Sequence, residues 1–216
     1  MPYSFDSEFT TGKNFDQKFN QDEVKNEPMF FSSSSKFAVE NGGPITKSFI
    51  RTFMKERPLV DDFVFDSRVH MLMPGWYPCI PGYHHDDVPR STASGQPNYD
   101  DPEYYAQHCM GLINGDICPT VFAVGSAVFD LPDEGPIYKK WHSDVEKYIR
   151  KKVLREVKAP SGKLIHFNSK SFHQGTPAIA NGWRWFGRIS WDTKRPVSNE
   201  IRRQVQVYMS SLTEGW

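Results

Sequence analysis

The sequence predicts a β-rich fold: one domain built mainly of strands, with helices flanking it. Three observations support this. Aromatic residues make up 14% of the chain, including 16 Phe and six Trp, enough bulk for one sizeable core. Fifteen Gly and 16 Pro cut the chain into short segments joined by tight turns. Several of those segments alternate apolar and polar residues, the period of a strand with one buried face. At roughly 100–200 residues per domain, 216 residues imply a single body, residues 45–216, preceded by a loosely ordered arm, residues 1–44.

The elements follow in order. The arm is polar and broken by Gly, Asn and Ser, with Phe5, Phe9, Phe15, Phe19, Phe30 and Phe31 spaced along it to dock on the body. Ile45, Phe49, Ile50 and Phe53 recur at helical spacing between Pro44 and Pro58. Residues 63–73 (FVFDSRVHMLM) read as a strand, and 74–82 as a Pro/Gly-rich turn. A long loop covers 89–102 and a short helix 102–110. Residues 120–129 (TVFAVGSAVF) are the clearest apolar strand. A helix spans 137–154, with Trp141, Val145, Tyr148 and Ile149 on one face and a basic face opposite. Strands are expected at 163–168, 171–179, 183–191 and 203–209. Asn181-Gly182 signals a type I′ hairpin between the second and third of these.

Composition narrows the function. Lys plus Arg and Asp plus Glu both number 26, so bulk electrostatic binding to nucleic acid or an anionic membrane is not expected. No apolar run approaches the ~18 residues that would span a bilayer, and the first residues lack the basic and apolar regions of a signal peptide. Cys79, Cys109 and Cys118 form no CxxC pair, so neither a disulfide framework nor a thiolate zinc site is expected. A reducing, cytoplasmic setting follows.

The residues that carry chemistry begin with Tyr83-His84-His85-Asp86-Asp87. In an extended segment, residues i and i+2 share a face, so His84 and Asp86 can present an imidazole and a carboxylate to one point. A third ligand from a neighbouring strand completes a two-His, one-carboxylate facial triad, which holds Fe(II) and leaves the opposite positions open. His-x-Asp arises about half a time by chance in a chain of this composition, and His85/Asp87 is a second, overlapping match. Only one pair can face the metal. His84/Asp86 is preferred because Tyr83 then packs on the other face. His173, in Phe-His-Gln-Gly-Thr-Pro, is the distal ligand candidate.

A two-residue turn at Asn181-Gly182 would pair His173 with Ser190 and Gly175 with Arg188. Arg188 would then lie roughly 6–7 Å along the strand from His173, at about 3.3 Å per residue. That distance matches a five-carbon dicarboxylate chelating the metal at one end, with Arg188 forking its far carboxylate and Ser190 adding a hydroxyl. Arg184 faces the same way and is the rival. A longer, irregular turn would give it the anchor role and leave Arg188 for the substrate.

This pattern resembles the Fe(II)/2-oxoglutarate-dependent dioxygenase superfamily. The match is His84-x-Asp86, a much later His173, and Arg188-x-Ser190 on the following strand, over roughly residues 63–192. The resemblance implies a double-stranded β-helix, or jelly-roll, with helices outside it. It also implies Fe(II) held by His84, Asp86 and His173, with 2-oxoglutarate held by Arg188 and Ser190 or by Arg184. O2 is the co-substrate, and succinate and CO2 are products of hydroxylation or oxidative demethylation of an organic substrate that the sequence does not name. The alternatives are a non-catalytic jelly-roll that binds a metal or ligand, and an all-helical phosphohydrolase using His85-Asp86. His70, His108, His142 and His166 are expected to be structural, with His166 notable for lying just before the His173 strand. Tyr77, Asn98, Tyr99, Tyr104 and Tyr105 are candidates to line a substrate pocket. Trp183, Trp185 and Trp191 share the strand face opposite Arg188 and should pack under a helix. Oligomeric state is not legible in the sequence.

Overall fold

Strand alternation builds this molecule: charged and aromatic side chains take turns along the same strands, and each set ends on its own side of a sheet. In the computed structural model the described residues are 2–15, 18–90, 96–102, 104–130 and 137–209. In chain order the elements are β1 (Pro2–Ser7), β2 (Thr10–Asn14), α1 (Gln21–Lys25), β3 (Met29–Phe31), β4 (Ser33–Ser34), α2 (Ser35–Asn41), α3 (Pro44–Glu56) and β5 (Val64–Leu72). There follow β6 (Gln107–Ile113), β7 (Thr120–Asp130), α4 (Ile137–Arg150), β8 (Arg155–Lys158), β9 (Lys163–Asn168), β10 (Phe172–Gly175), β11 (Gly182–Trp191) and β12 (Glu200–Arg202).

The major sheet runs β2-β9-β6-β11-β5-β4, and the minor sheet is built on β7, which pairs with β1, β8 and β10. His84 and His173 form a further bridge that adds the segment before β6 to the edge at β10. From β5 onward the chain therefore passes between the sheets: β5 major, the His84 segment minor, β6 major, β7 and β8 minor, β9 major, β10 minor, β11 major. That winding is the double-stranded β-helix. The architecture is mainly β with flanking helices and does not fit the all-helical phosphohydrolase alternative.

Each sheet is backed by a helix. α3 starts at Pro44, where proline's missing N–H costs nothing, and places Ile45, Phe49, Ile50 and Phe53 against the outer face of the major sheet. Trp185 meets Phe49 edge-on at 5.5 Å between ring centroids, and Trp191 lies 5.4 Å from Phe53. Trp183 packs at the margin of the same cluster, so the three tryptophans sit where alternation put them. Two cross-strand partners, Gly111 and Gly187, make this packing possible. A Cβ on Gly187 would lie 2.3 Å from the Trp185 indole, and one on Gly111 2.7 Å from the Phe49 ring. α4 covers the minor sheet with Ile137, Trp141 and Val145, packed on Phe5, Phe129 and Phe172. Between the sheets, Met110, Leu112, Ile165 and Phe167 meet Phe122.

Four expectations are corrected. The segment expected as a loosely ordered arm is structured: β1 pairs along β7, β2 pairs with β9, and Phe5, Phe15 and Phe30 are buried. Residues 107–110, expected to end a helix, begin β6. There they gain a strand on each side, β9 and β11, whose pairing outweighs local propensity. The expected hairpin at Asn181-Gly182 does not form, because β10 pairs with β7 whereas β11 lies in the other sheet. The backbone between them is satisfied elsewhere: Thr176 donates to Pro119, Ala178 to Trp76 and Ile179 to Ile117. Finally, residues 203–209 give only a single bridge, Tyr77 to Tyr208, and the short strand lies at 200–202. The three cysteines are free. Among the described residues, no helix is long and apolar enough to cross a membrane.

Candidate metal centre and its cavity

β10 and the segment before β6 bring the three expected side chains together. His84 and His173 exchange backbone hydrogen bonds of 3.0 and 3.2 Å, which places their rings side by side with centroids 4.6 Å apart. Asp86, two residues on from His84, turns to the same point. The ligand atoms of His84, Asp86 and His173 all lie within 4.8 Å of one another. His173 Nε2 is 3.2 Å from Asp86 Oδ2, close to the ~3 Å that separates adjacent donors around a metal with bonds of about 2 Å at right angles.

The ring nitrogens are sorted for the same purpose. His84 Nδ1 lies 2.9 Å from the Gly82 carbonyl oxygen, and His173 Nδ1 lies 3.0 Å from that of Ser171. A carbonyl only accepts, so each Nδ1 donates to its carbonyl, the tautomer-fixing contact that metal-ligating histidines make. Phe122 stacks on the His173 ring at 5.2 Å and fixes its plane. Burial, then the neighbouring His173, pushes His84 down to about 4, so its imidazole is neutral at ordinary pH. Burial acts to raise Asp86, but Arg188 and then His173 outweigh it and hold the carboxyl well below the usual range. Two imidazoles, that of His84 held neutral, and one carboxylate form a donor set that suits a ferrous ion.

The competing pair goes elsewhere. His85 points away into the aromatic cluster under α4, 4.0 Å from Phe172 and 4.7 Å from Phe5 between ring centroids. Asp87, in the left-handed region at φ 55°, lies 3.6 Å from Arg188 and 3.4 Å from Arg195. Tyr83 is buried on the far side and donates to Glu156 at 2.8 Å.

The arginines divide differently from the hairpin register. β11 pairs with β5 so that Arg184 lies opposite His70 and Arg188 opposite Asp66. Arg188 is committed to carboxylates: it pairs with Asp86 and lies 3.4 Å from Asp66. Ser190, expected beside a cofactor carboxylate, sits 2.9 Å from His108 Nδ1 and does not line the cavity. Arg184 is only 2% exposed, reaches from the major sheet across to the Thr120 hydroxyl of β7 at 2.8 Å, and has no carboxylate partner among the described residues. The Asn181-Gly182 signal misassigned this pair because it is local, whereas the strand pairing that places the arginines is not.

An inner cavity of about 170 Å³ joins these groups, with Arg184 and Thr120 at one end and His84, Asp86 and His173 beside it. A wider vestibule of about 690 Å³ adjoins it, walled by Arg202, Gln204, Val205, Gln206 and Tyr208 and again touching His84 and Asp86. Sequence reasoning missed Asp66, Arg68, His70, Thr120, Arg195 and Arg202. The first three were legible, since they sit two apart along β5 and so share one face. The Tyr residues expected in a pocket serve otherwise: Tyr99 and Tyr104 are buried in the aromatic cluster beside α4, Tyr105 is exposed, and Tyr77 bridges to Tyr208. His166 faces outward and bonds Glu56 at 2.7 Å.

No protein-family model matches the chain, and no curated protein does. Solved structures similar to it include the following two. One is HygX from Streptomyces hygroscopicus with iron bound, at 12% identity over 85% of this chain and 81% of that one, with a TM-score of 0.37. The other is an N-substituted L-amino acid dioxygenase from Burkholderia ambifaria AMMD, at 14% identity over 66% of this chain and 57% of that one, with a TM-score of 0.34.

Proposed function

We propose that this protein is a non-haem Fe(II)/2-oxoglutarate-dependent oxygenase that hydroxylates, or oxidatively demethylates, an organic substrate. The observation that carries the reading is the convergence of His84, Asp86 and His173 beside a cavity also lined by buried Arg184, which has no carboxylate partner among the described residues. A buried cation without a counter-charge is costly, so the site is built for an anion. In this reading His84, Asp86 and His173 hold the iron, and Arg184 with Thr120 grips the distal carboxylate of 2-oxoglutarate. When bound, iron and 2-oxoglutarate supply the oxidising chemistry, with O2 consumed and succinate and CO2 released.

The chain's own residues orient and shield. Arg188 pairs with Asp86 through Oδ2, the oxygen that also faces His173 Nε2, and is itself held by Asp66 and Asp87, so the carboxylate is fixed in place. Met110, Phe167 and Phe186 line the inner cavity and exclude water. Anaerobic addition of Fe(II) and 2-oxoglutarate is expected to give a weak visible charge-transfer band. Under air, succinate should form slowly without added substrate. Folded protein that shows neither signal is a non-catalytic jelly-roll instead.

A further inference from the structure

The cavity holds more positive charge than the proposed iron and 2-oxoglutarate can use. Arg68, Arg184, Arg188, Arg195 and Arg202 all line it. The carboxylates among them are Asp66 and Asp86, with Asp87 just behind. His70 adds nothing, since burial and then Arg184 push it down to about 3 and leave it neutral. Asp86 and the keto-acid carboxylate of 2-oxoglutarate balance a ferrous ion, and the distal carboxylate balances Arg184. Asp66 and Asp87 are engaged by Arg188 and Arg195, at 2.6 to 3.6 Å. Two guanidinium groups are left over: Arg68 and Arg202.

These two are placed to act together. Both line the inner cavity and the outer vestibule, so they stand where one opens into the other, with His84 and Asp86 bordering both spaces. Arg68 is half-buried on the inward face of β5, and its side chain has no carboxylate or hydrogen-bond partner among the described residues. Arg202 is braced. Its Nε donates to the Phe30 carbonyl at 3.1 Å, and its guanidinium lies 4.5 Å from the Phe31 ring centroid. Its nearest carboxylate, Asp66 at 3.8 Å, is already shared by Arg188 and Arg195. Burial, and after it the charge of Arg68, pushes the Arg202 guanidinium below its ordinary value. Two neighbouring guanidinium groups, one with no carboxylate partner among the described residues and the other with only a distant, shared one, favour an anion between them.

Resting on the oxygenase reading for the occupants of the inner cavity, we propose that Arg68 and Arg202 form the anion grip for the primary substrate. The substrate is therefore an organic oxyanion, a carboxylate or a phosphate monoester, whose charged end is held at the mouth while its body reaches in toward the metal.

The test uses protein saturated with Mn(II) and 2-oxoglutarate, which fills Arg184 without turnover. Phenyl phosphate, benzoate and neutral benzyl alcohol are titrated by calorimetry into wild type, Arg68→Gln and Arg202→Gln. At least one anion is expected to bind, benzyl alcohol is not, and each variant should weaken the anion roughly ten- to a hundredfold, the worth of a charge-assisted contact. 2-Oxoglutarate affinity should stay unchanged in both variants. Which anion wins identifies the group. Neither anion binding better than benzyl alcohol, or both variants binding like wild type, overturns the proposal. Anion binding through Arg68 and Arg202 in a protein that fails to take up 2-oxoglutarate keeps the anion grip and removes the oxygenase reading. Ligand-free Arg68→Gln should also melt no lower than wild type. A clear loss would mean that Arg68 is paired within the protein, against the proposal.

Discussion

Replacing Arg184 and Arg188 separately, each by Gln, should split cofactor binding from metal binding. Arg184 is buried, has Thr120 as its hydrogen-bond partner, and faces the cavity. Gln keeps much of the volume and removes the charge. In the proposed complex this deletes a charge-assisted pair to a carboxylate, worth roughly 1.5–3 kcal/mol, and leaves that carboxylate buried and under-paired, for a total of about 3 kcal/mol. At 1.4 kcal/mol per factor of ten, 2-oxoglutarate should bind about two orders of magnitude more weakly. Fe(II) affinity should hardly change, because Arg184 touches none of the three donors. Arg188→Gln should do the reverse. It frees Asp86, and losing a partner that orients a ligand typically costs about 10–100-fold in metal affinity. The assay is an anaerobic titration of 2-oxoglutarate into the Fe(II) protein, followed through the visible band, with a separate Fe(II) titration. If Arg188→Gln raises the 2-oxoglutarate requirement and Arg184→Gln does not, the division of the arginines drawn from the β5–β11 register is wrong.

Other outcomes follow from the same geometry. His173→Ala and His84→Ala should each lose Fe(II) on gel filtration while retaining the far-ultraviolet circular dichroism of the fold; retention of stoichiometric iron by either would place the metal elsewhere. Asp66 is held at about 2 because Arg188 and Arg195 outweigh the burial that would raise it. Its folded value lies below the unfolded one, so its stabilisation is present above pH ~4 and is lost as pH falls through 2, an effect of about 2 kcal/mol. Urea unfolding should therefore show the gap between wild type and Asp66→Asn shrinking over that window, and a constant gap would contradict the assignment. Gly111→Ala should cost about 1–3 kcal/mol by overpacking against Phe49 and Phe15, read as a lower thermal midpoint. Glu27 is buried and accepts from Ile45 N at 3.2 Å and Thr46 N at 2.8 Å, capping α3, whose own N-cap is Gly43. Glu27→Ala should cost about 1–2 kcal/mol in the same measurement.

What the sequence made legible was whatever has a period. β5 and β11 announced themselves by alternation, β7 by its apolar run, and α3 and α4 by apolar residues three and four apart. The His-x-Asp pair and His173 were legible because an extended segment aims residues i and i+2 alike. What escaped depended on partners far along the chain. The Phe residues of the first 44 positions looked like isolated docking points, yet Phe5 sits at the centre of the aromatic cluster under α4 because β1 has β7 to pair with. Ser190 looked like a cofactor hydroxyl until β6 set His108 opposite it. The Asn-Gly signal failed for the same reason: a two-residue turn is a local preference of about a kilocalorie, and the sandwich sends β10 and β11 to different sheets.

The arginines show why the site tolerates so much buried charge. Along β11 the outward residues Trp185, Ile189 and Trp191 pack toward α3, while Arg184, Phe186 and Arg188 point inward. A slip of one residue would exchange the sets, driving guanidinium groups into the α3 cluster and tryptophans into the cavity. Burying one large aromatic contributes roughly 1.5–3 kcal/mol, and that packing locks the register. The inward face therefore need not stabilise itself. Its surplus positive charge is held in place by hydrophobic contacts on the other side of the same strand and remains available to ligands. A substitution that loosens the outer face, such as Trp185→Ala, should accordingly weaken 2-oxoglutarate binding through Arg184 as well as lowering the melting temperature. A variant that melted early but bound the cofactor normally would show that the inner face holds its own geometry.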